Sequence, residues 1–207
     1  MKILRIFSMR MIIAASLFTA SYATQAAVFE VAGVKFDDTT HVANTDLKLN
    51  GAGIRYKAIF KVYAAGLYLK EKKTTLPEIL ALAGPKSVKI VMLRDLSNED
   101  FGRGFMTGIQ QNTDKTEKLK LVNQFMRFGE MFASVPELKK GDVMLTEWIP
   151  NIGTIVSLNG KKMGEPYPDV AFYNALLRIW LGEKPVDTSL KKAMLAEIND
   201  DTKNNYR

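Results

Sequence analysis

The sequence predicts an α+β domain, an antiparallel sheet of about six or seven strands with its helices gathered on one face. Three observations carry that class. Segments rich in Val, Ile, Tyr and Phe with a period of two fall at 28–36, 47–69, 87–93 and 143–157. Segments with helical spacing and cap residues fall at 75–83, from 97 onward, and at 115–133, 169–181 and 189–198. Neither a fixed-period repeat nor a Gly/Ser linker divides them, so one domain is expected over 27–207.

The elements follow in order. Val28 to Phe36 reads as a short hairpin turning at Gly33, and Leu47 to Asn50 alternates apolar and polar residues. Gly51-Ala52-Gly53 is expected to break that strand before a long second run, Ile54 to Leu69. Thr75 as cap, Pro77 in the first turn and Gly84 beyond the last apolar residue mark a short helix. Ser87 to Leu93 alternates again through Val88, Ile90 and Met92.

Ser97, with Asp100 three residues on, is placed to cap a helix whose Phe101, Phe105 and Ile109 form one stripe. The next helix, 115–133, is expected to bury Leu119, Val122, Met126, Gly129 and Phe132 and to stop at Pro136. Val143 to Ile149 is a strand, and Asn159-Gly160 is the favoured pair for a hairpin turn after Thr154 to Ser157. A helix ended by Gly182, a last helix from Ser189 to Ile198 and a polar tail complete the chain.

At the N-terminus Lys2, Arg5 and Arg10 precede the apolar run Met11 to Ala20 and then Ser21-Tyr22-Ala23-Thr24-Gln25-Ala26. A cationic, then apolar, then small-residue order is that of a signal peptide. The leader is assigned to residues 1–26, with cleavage after Ala26 favoured over Ala23. The apolar run is shorter than the roughly 20 residues a spanning helix needs, so no stable membrane insertion is expected after cleavage. A periplasmic or secreted location follows. The formal net charge of +7 falls by three when Lys2, Arg5 and Arg10 are removed. The remaining excess forms no basic stripe interleaved with aromatics, so nucleic acid is not an expected partner.

The chain has no Cys, which excludes disulfides, thiolate metal sites and a lipoprotein anchor. Its one imidazole, His41, lies in a Thr/Asn-rich segment expected to be a loop. There is no Gly-x-Ser-x-Gly elbow, no His-Glu-x-x-His and no phosphate loop. The acidic pairs Asp37-Asp38, Glu99-Asp100 and Asp200-Asp201 are adjacent in sequence at turns or helix starts, where acids cap or face water. No cofactor, metal or catalytic residue is assigned.

The string Leu49-Asn50-Gly51-Ala52-Gly53-Ile54-Arg55, followed by Phe60-Lys61-Val62-Tyr63-Ala64-Ala65-Gly66-Leu67-Tyr68-Leu69, resembles the signature of the chalcone isomerase family, especially its bacterial exported branch. Leu181-Gly182-Glu183-Lys184-Pro185-Val186 and Ser189-Leu190-Lys191 resemble that family's closing helix, Gly turn and helix. The likeness covers most of 27–207 and implies the chalcone isomerase-like fold, an open-faced antiparallel sheet with helices packed on one face.

What the resemblance implies about the site is carried by position. Arg55 matches the family's guanidinium, which in the enzymes holds a substrate oxyanion, a task that suits a planar, always-charged fork of donors. Asn112 also matches. Tyr63 stands where the enzymes have a water-positioning Thr, Phe105 and Gly108 where they have Tyr and Lys, and Ile179 where they have Ser or Thr. Aligning Arg55 with Tyr63 requires a short deletion. Losing those hydroxyls and the ammonium removes the groups that would orient a chalcone and leaves a greasier pocket.

The expected function is therefore non-catalytic binding of a fatty acid or similar apolar carboxylate in the cleft between sheet and helices, with Arg55, Tyr63, Asn112, Phe105 and Ile179 at the site. The alternatives are an isomerase or lyase of chalcone isomerase type acting on an enone or flavonoid-like substrate, and a structural or interaction protein without ligand.

Overall fold

The computed structural model describes residues 28–135 and 137–197. The expected leader with its cleavage point, Pro136 and the polar tail lie outside the described residues.

The chain opens with a hairpin, β1 (Val28–Val31) and β2 (Val34–Asp37), turning through Ala32 and Gly33 at positive φ. β3 (Thr39–Val42), β4 (Thr45–Lys57) and β5 (Phe60–Leu69) follow as a meander. After α1 (Leu76–Ala81) come β6 (Lys86–Met92), β7 (Leu96–Ser97), α2 (Asn98–Asn112) and α3 (Lys115–Ala133). β8 (Glu137–Leu138), β9 (Val143–Ile149), β10 (Gly153–Leu158) and β11 (Lys161–Lys162) precede α4 (Val170–Leu181) and α5 (Thr188–Met194). Seven strands form one antiparallel sheet in the order β11-β10-β9-β6-β5-β4-β3.

All five helices among the described residues contribute to one apolar core over β5 and β6, where Ala65, Leu67, Val88, Ile90 and Met92 face them. The α+β class and the single helical layer are as predicted. On the opposite face the β1–β2 hairpin seals a smaller cluster of Val31, Phe36, Leu47, Ala52, Ile54 and Tyr68. Gly66 is what admits Phe36 there, since a Cβ at that position would lie 2.7 Å from the ring.

Four expectations are corrected. First, Gly51-Ala52-Gly53 does not end a strand: β4 runs through it, with a bulge between Leu49 and Gly51. The glycines are required because α5 crosses there. A Cβ on Gly51 would sit 2.1 Å from the Ala193 carbonyl oxygen, and one on Gly53 2.6 Å from Ala193 Cβ. Buried Asn50 fixes the bulge, donating to Lys73 O and Met194 O and accepting from Lys73 N. The real break falls inside the supposed second strand, at Ala58-Ile59, where Ala58 takes φ 54°.

Second, α3 buries Leu121, Phe125, Phe128 and Phe132, while Leu119, Val122 and Met126 face outward. Two apolar stripes compete on this helix, and the aromatic one wins because burying larger rings removes more area from water. Third, His41 belongs to β3, where its exposed Nδ1 lies 2.9 Å from Asp46 Oδ1. Fourth, α5 ends at Met194, before the predicted Ile198. The small β7–β8 pair, Leu96 opposite Leu138, was not anticipated.

Of the two caps expected from sequence, the Ser97 cap forms and Thr75 does not cap through its side chain. Ser97 accepts from Asp100 N at the start of α2, and Asp114, Asp169 and Asp187 cap α3, α4 and α5 in the same way. At α1, Thr75 instead donates its hydroxyl to Glu78.

Candidate ligand-binding site

The sheet brings Arg55 and Tyr63 together as direct partners across β4 and β5, beside a second bulge between Arg55 and Tyr56. Both side chains lie on the helical face. The guanidinium carbon of Arg55 stands 5.5 Å from the centroid of the Tyr63 ring, a cation–π arrangement. Its Nη2 lies 3.8 Å from where a Cβ would sit on Gly104, so the fork reaches the backbone of α2 at a residue with no side chain to obstruct it.

Arg55 is half-buried, and among the described residues no carboxylate comes within ion-pairing distance of it. Its Nε is fully buried and, among the described residues, donates to nothing. An unpaired buried donor on a charged group is costly, since the lost water contacts are not replaced.

Tyr63 is held from the other side. Its hydroxyl accepts a 2.9 Å hydrogen bond from the indole Nε1 of Trp180 on α4, and both residues are buried. Burial pushes the Tyr63 phenol up to about 12, against smaller downward pulls from Arg55 and the Trp180 bond and a small upward push from Asp187. The phenol is therefore protonated at neutral pH. Asp187 was missed from sequence. One of its carboxylate oxygens caps α5 at Leu190 N and the other accepts from Tyr56 N, tying the last helix to the site's edge. The cap pattern Asp187-Thr188-Ser189-Leu190 was the signal that could have found it.

Phe105 lies beside this pair. Its ring centroid is 4.7 Å from Phe101 and 5.5 Å from Trp180, and Phe101 in turn meets Tyr63 edge-on at 6.4 Å. Phe128 and Phe132 extend the cluster under α3. The rings pack on one another and fill the layer between sheet and helices, so the apolar wall behind Arg55 is core as well as lining.

Ile179 and Asn112 have other surroundings. Ile179 is fully buried under Gly108, where a Cβ would come within 2.8 Å of Ile179 Cγ2, so Gly108 sets the close approach of α2 to α4. Asn112 closes the end of α2. Its amide donates to Gly108 O and Lys184 O and its oxygen accepts from Lys184 N, clamping the turn after α4. It borders a surface hollow of about 460 Å³ with Thr113, Glu117 and Arg178, not the Arg55 region. There Arg178 reaches both oxygens of Glu117, at 2.8 and 2.9 Å. Outside, a groove of about 520 Å³ between α2 and α3 is lined by Met106, Ile109, Val122, Phe125 and Met126.

A family model described as chalcone isomerase-like matches residues 27–196. The chain belongs to the chalcone isomerase-like family. The fold is shared with the crystal structure of an Arabidopsis thaliana fatty-acid binding protein, with a TM-score of 0.62 and 15% identity over 84% of this chain and 97% of that one. A search of curated proteins finds no match. Arg55 and Tyr63 lie on adjacent strands, β4 and β5, with the Arg55 fork beneath α2 at Gly104.

Proposed function

We propose that this chain is an exported, non-catalytic binding protein for a fatty acid or similar apolar carboxylate, with Arg55 holding the head group. The observation that carries the reading is the state of Arg55: half-buried, without a carboxylate partner among the described residues, and with a buried Nε that donates to nothing. A ligand carboxylate supplies both the countercharge and the missing acceptor. The tail would lie along Tyr63, Phe101 and Phe105, whose rings must shift to admit it. Gly104 leaves α2 without a side chain over the Arg55 fork.

The fatty-acid binding described for the Arabidopsis protein supports this ligand class. Binding without turnover fits a site whose α2 wall, at Phe105, supplies no polar group. The order of residues 1–26 supports export, to a periplasm or beyond the cell, and the family's bacterial exported branch. The filled interlayer favours a second reading, an interaction protein whose apolar wall is only core.

Native and denaturing mass spectra of the protein purified from its expressing cells separate the two. A non-covalent mass in the fatty-acid range, released on unfolding and depleted in Arg55→Ala, is expected. No released mass, together with no binding of added decanoate, overturns the ligand reading.

A further inference from the structure

The β4–β5 turn breaks the rule for its kind. Two-residue hairpin turns favour Gly, Asn or Asp, because the chain must enter positive φ. Here the turn residues are Ala58 and Ile59, and Ala58 takes φ 54° without a glycine's freedom. Ile59 is 85% exposed and the next residue, Phe60, 54% exposed. Water gains nothing from an apolar residue at a protruding tip, so the departure asks for another explanation.

Cations ring the tip. Lys57 and Lys61 flank it on the two strands, both exposed, and Arg94 at the end of β6 lays its guanidinium 5.0 Å over the Phe60 ring. Among the described residues none of the three is in an ion pair, and the nearby Asp95 is engaged by Lys139 and Lys140 N. No acidic residue occurs between Arg55 and Lys61. Arg55 lies two residues before Lys57, about 7 Å up the strand.

We propose that the Lys57–Lys61 hairpin tip is a membrane-docking element: Ile59 and Phe60 enter the interfacial layer of an anionic bilayer, while Lys57, Lys61 and Arg94 contact its head groups. The collar of unpaired cations around an apolar point matches an anionic surface in charge and in depth. A protein partner fits less well, because a stable interface needs about 800 Å² per side and a two-residue tip does not present it. Among the described residues no helix is long and apolar enough to cross a bilayer, so the docking is peripheral. It places the sheet end that carries Arg55 against the surface. The inference stands apart from the ligand reading, since docking is measured with no ligand added.

The full chain, expressed from its complete coding sequence and purified as the cell leaves it, is sedimented with phosphatidylglycerol–phosphatidylcholine vesicles and with pure phosphatidylcholine vesicles. Binding is expected to the anionic vesicles and to weaken with added salt. Ile59→Ser/Phe60→Ser should lower it about tenfold or more, and each of Lys57→Gln and Lys61→Gln about fivefold. Comparing variants in one background removes any contribution of the N-terminal apolar segment. The chain has no native Cys, so an environment-sensitive dye on Ile59→Cys reports the tip alone and should shift to the blue on anionic vesicles. These positions are exposed, so unchanged melting of each variant confirms that folding is intact. The proposal is overturned by absent vesicle binding, by binding indifferent to the tip substitutions, by a dye that stays in water, or by sedimentation showing that the tip pairs two copies of the chain.

Discussion

Tyr63→Phe removes one oxygen from the centre of the site, and its consequences can be worked through. The lost hydroxyl is the acceptor for Trp180 Nε1, and both residues are buried, so water does not replace it. Leaving a buried donor unsatisfied costs about 1–3 kcal/mol. At about 2–4 °C per kcal/mol for a domain of this size, the melting temperature should fall by roughly 2–12 °C at neutral pH. Trp180→Phe should also destabilise, and the double variant should cost less than the sum of the singles by about 1 kcal/mol, the energy of the shared bond. Alkali provides an independent arm. The folded phenol is raised to about 12 from 10.0, so its contribution is fully present below pH 10 and is lost as pH rises from there through the folded value. That loss is of the order of 3 kcal/mol, at about 1.4 kcal/mol per pKa unit. Tyr68 and Tyr173 are raised by burial too, so Tyr63→Phe flattens the alkaline fall of stability without abolishing it. Thermal melts followed by circular dichroism, with phenolate absorbance on the same samples, make the comparison. A Tyr63→Phe protein as stable as the parent at neutral pH, with the same alkaline slope, would refute the reasoning.

Two further predictions concern packing and charge. Gly51→Ala should lower stability by about 1–3 kcal/mol or displace α5, because its Cβ meets a backbone oxygen that no rotamer change relieves. Gly129→Ala on α3 meets nothing within 4 Å and should stabilise by about 0.5–1 kcal/mol; chemical denaturation of the pair reads both signs, and equal effects would contradict the close-packing account. Lys86 is buried, and burial holds its ammonium below the ordinary lysine range. Its folded value is depressed, so the unfolded chain binds the proton more tightly and stability from this residue falls as pH drops toward neutral. Lys86→Met should therefore raise the melting temperature at neutral pH and gain less near pH 10; a lower melting temperature would show that the ammonium is paid for by contacts the fold needs.

The sheet, its Asn159-Gly160 turn and the Ser97 cap were legible because alternation, turn chemistry and a capping residue are local signals. Packing between elements was not. Gly51 and Gly53 read as a break because sequence does not reveal a helix crossing above them. α3 carries two apolar stripes, and only its neighbours decide that Phe125 and Phe128 turn inward while Val122 and Met126 do not. The Ala58-Ile59 turn was invisible because its residues contradict turn chemistry. At the site, Arg55 and Tyr63 follow from the signature and the register, whereas the Trp180 bond and the role of Asp187 depend on how α4 and α5 fold back over the sheet. Asn112 matched the signature, but its hydrogen bonds are spent on backbone.

The central claim is that Arg55 recognises a carboxylate, and it is tested most directly by comparing decanoate with decanol, wild type beside Arg55→Ala, in calorimetric titrations. The wild type should prefer the acid, and Arg55→Ala should weaken decanoate by about 1.5–3 kcal/mol while leaving decanol nearly unchanged, so that the preference disappears. An Arg55→Ala protein that keeps the wild-type preference for decanoate would contradict the assignment of the head group to Arg55.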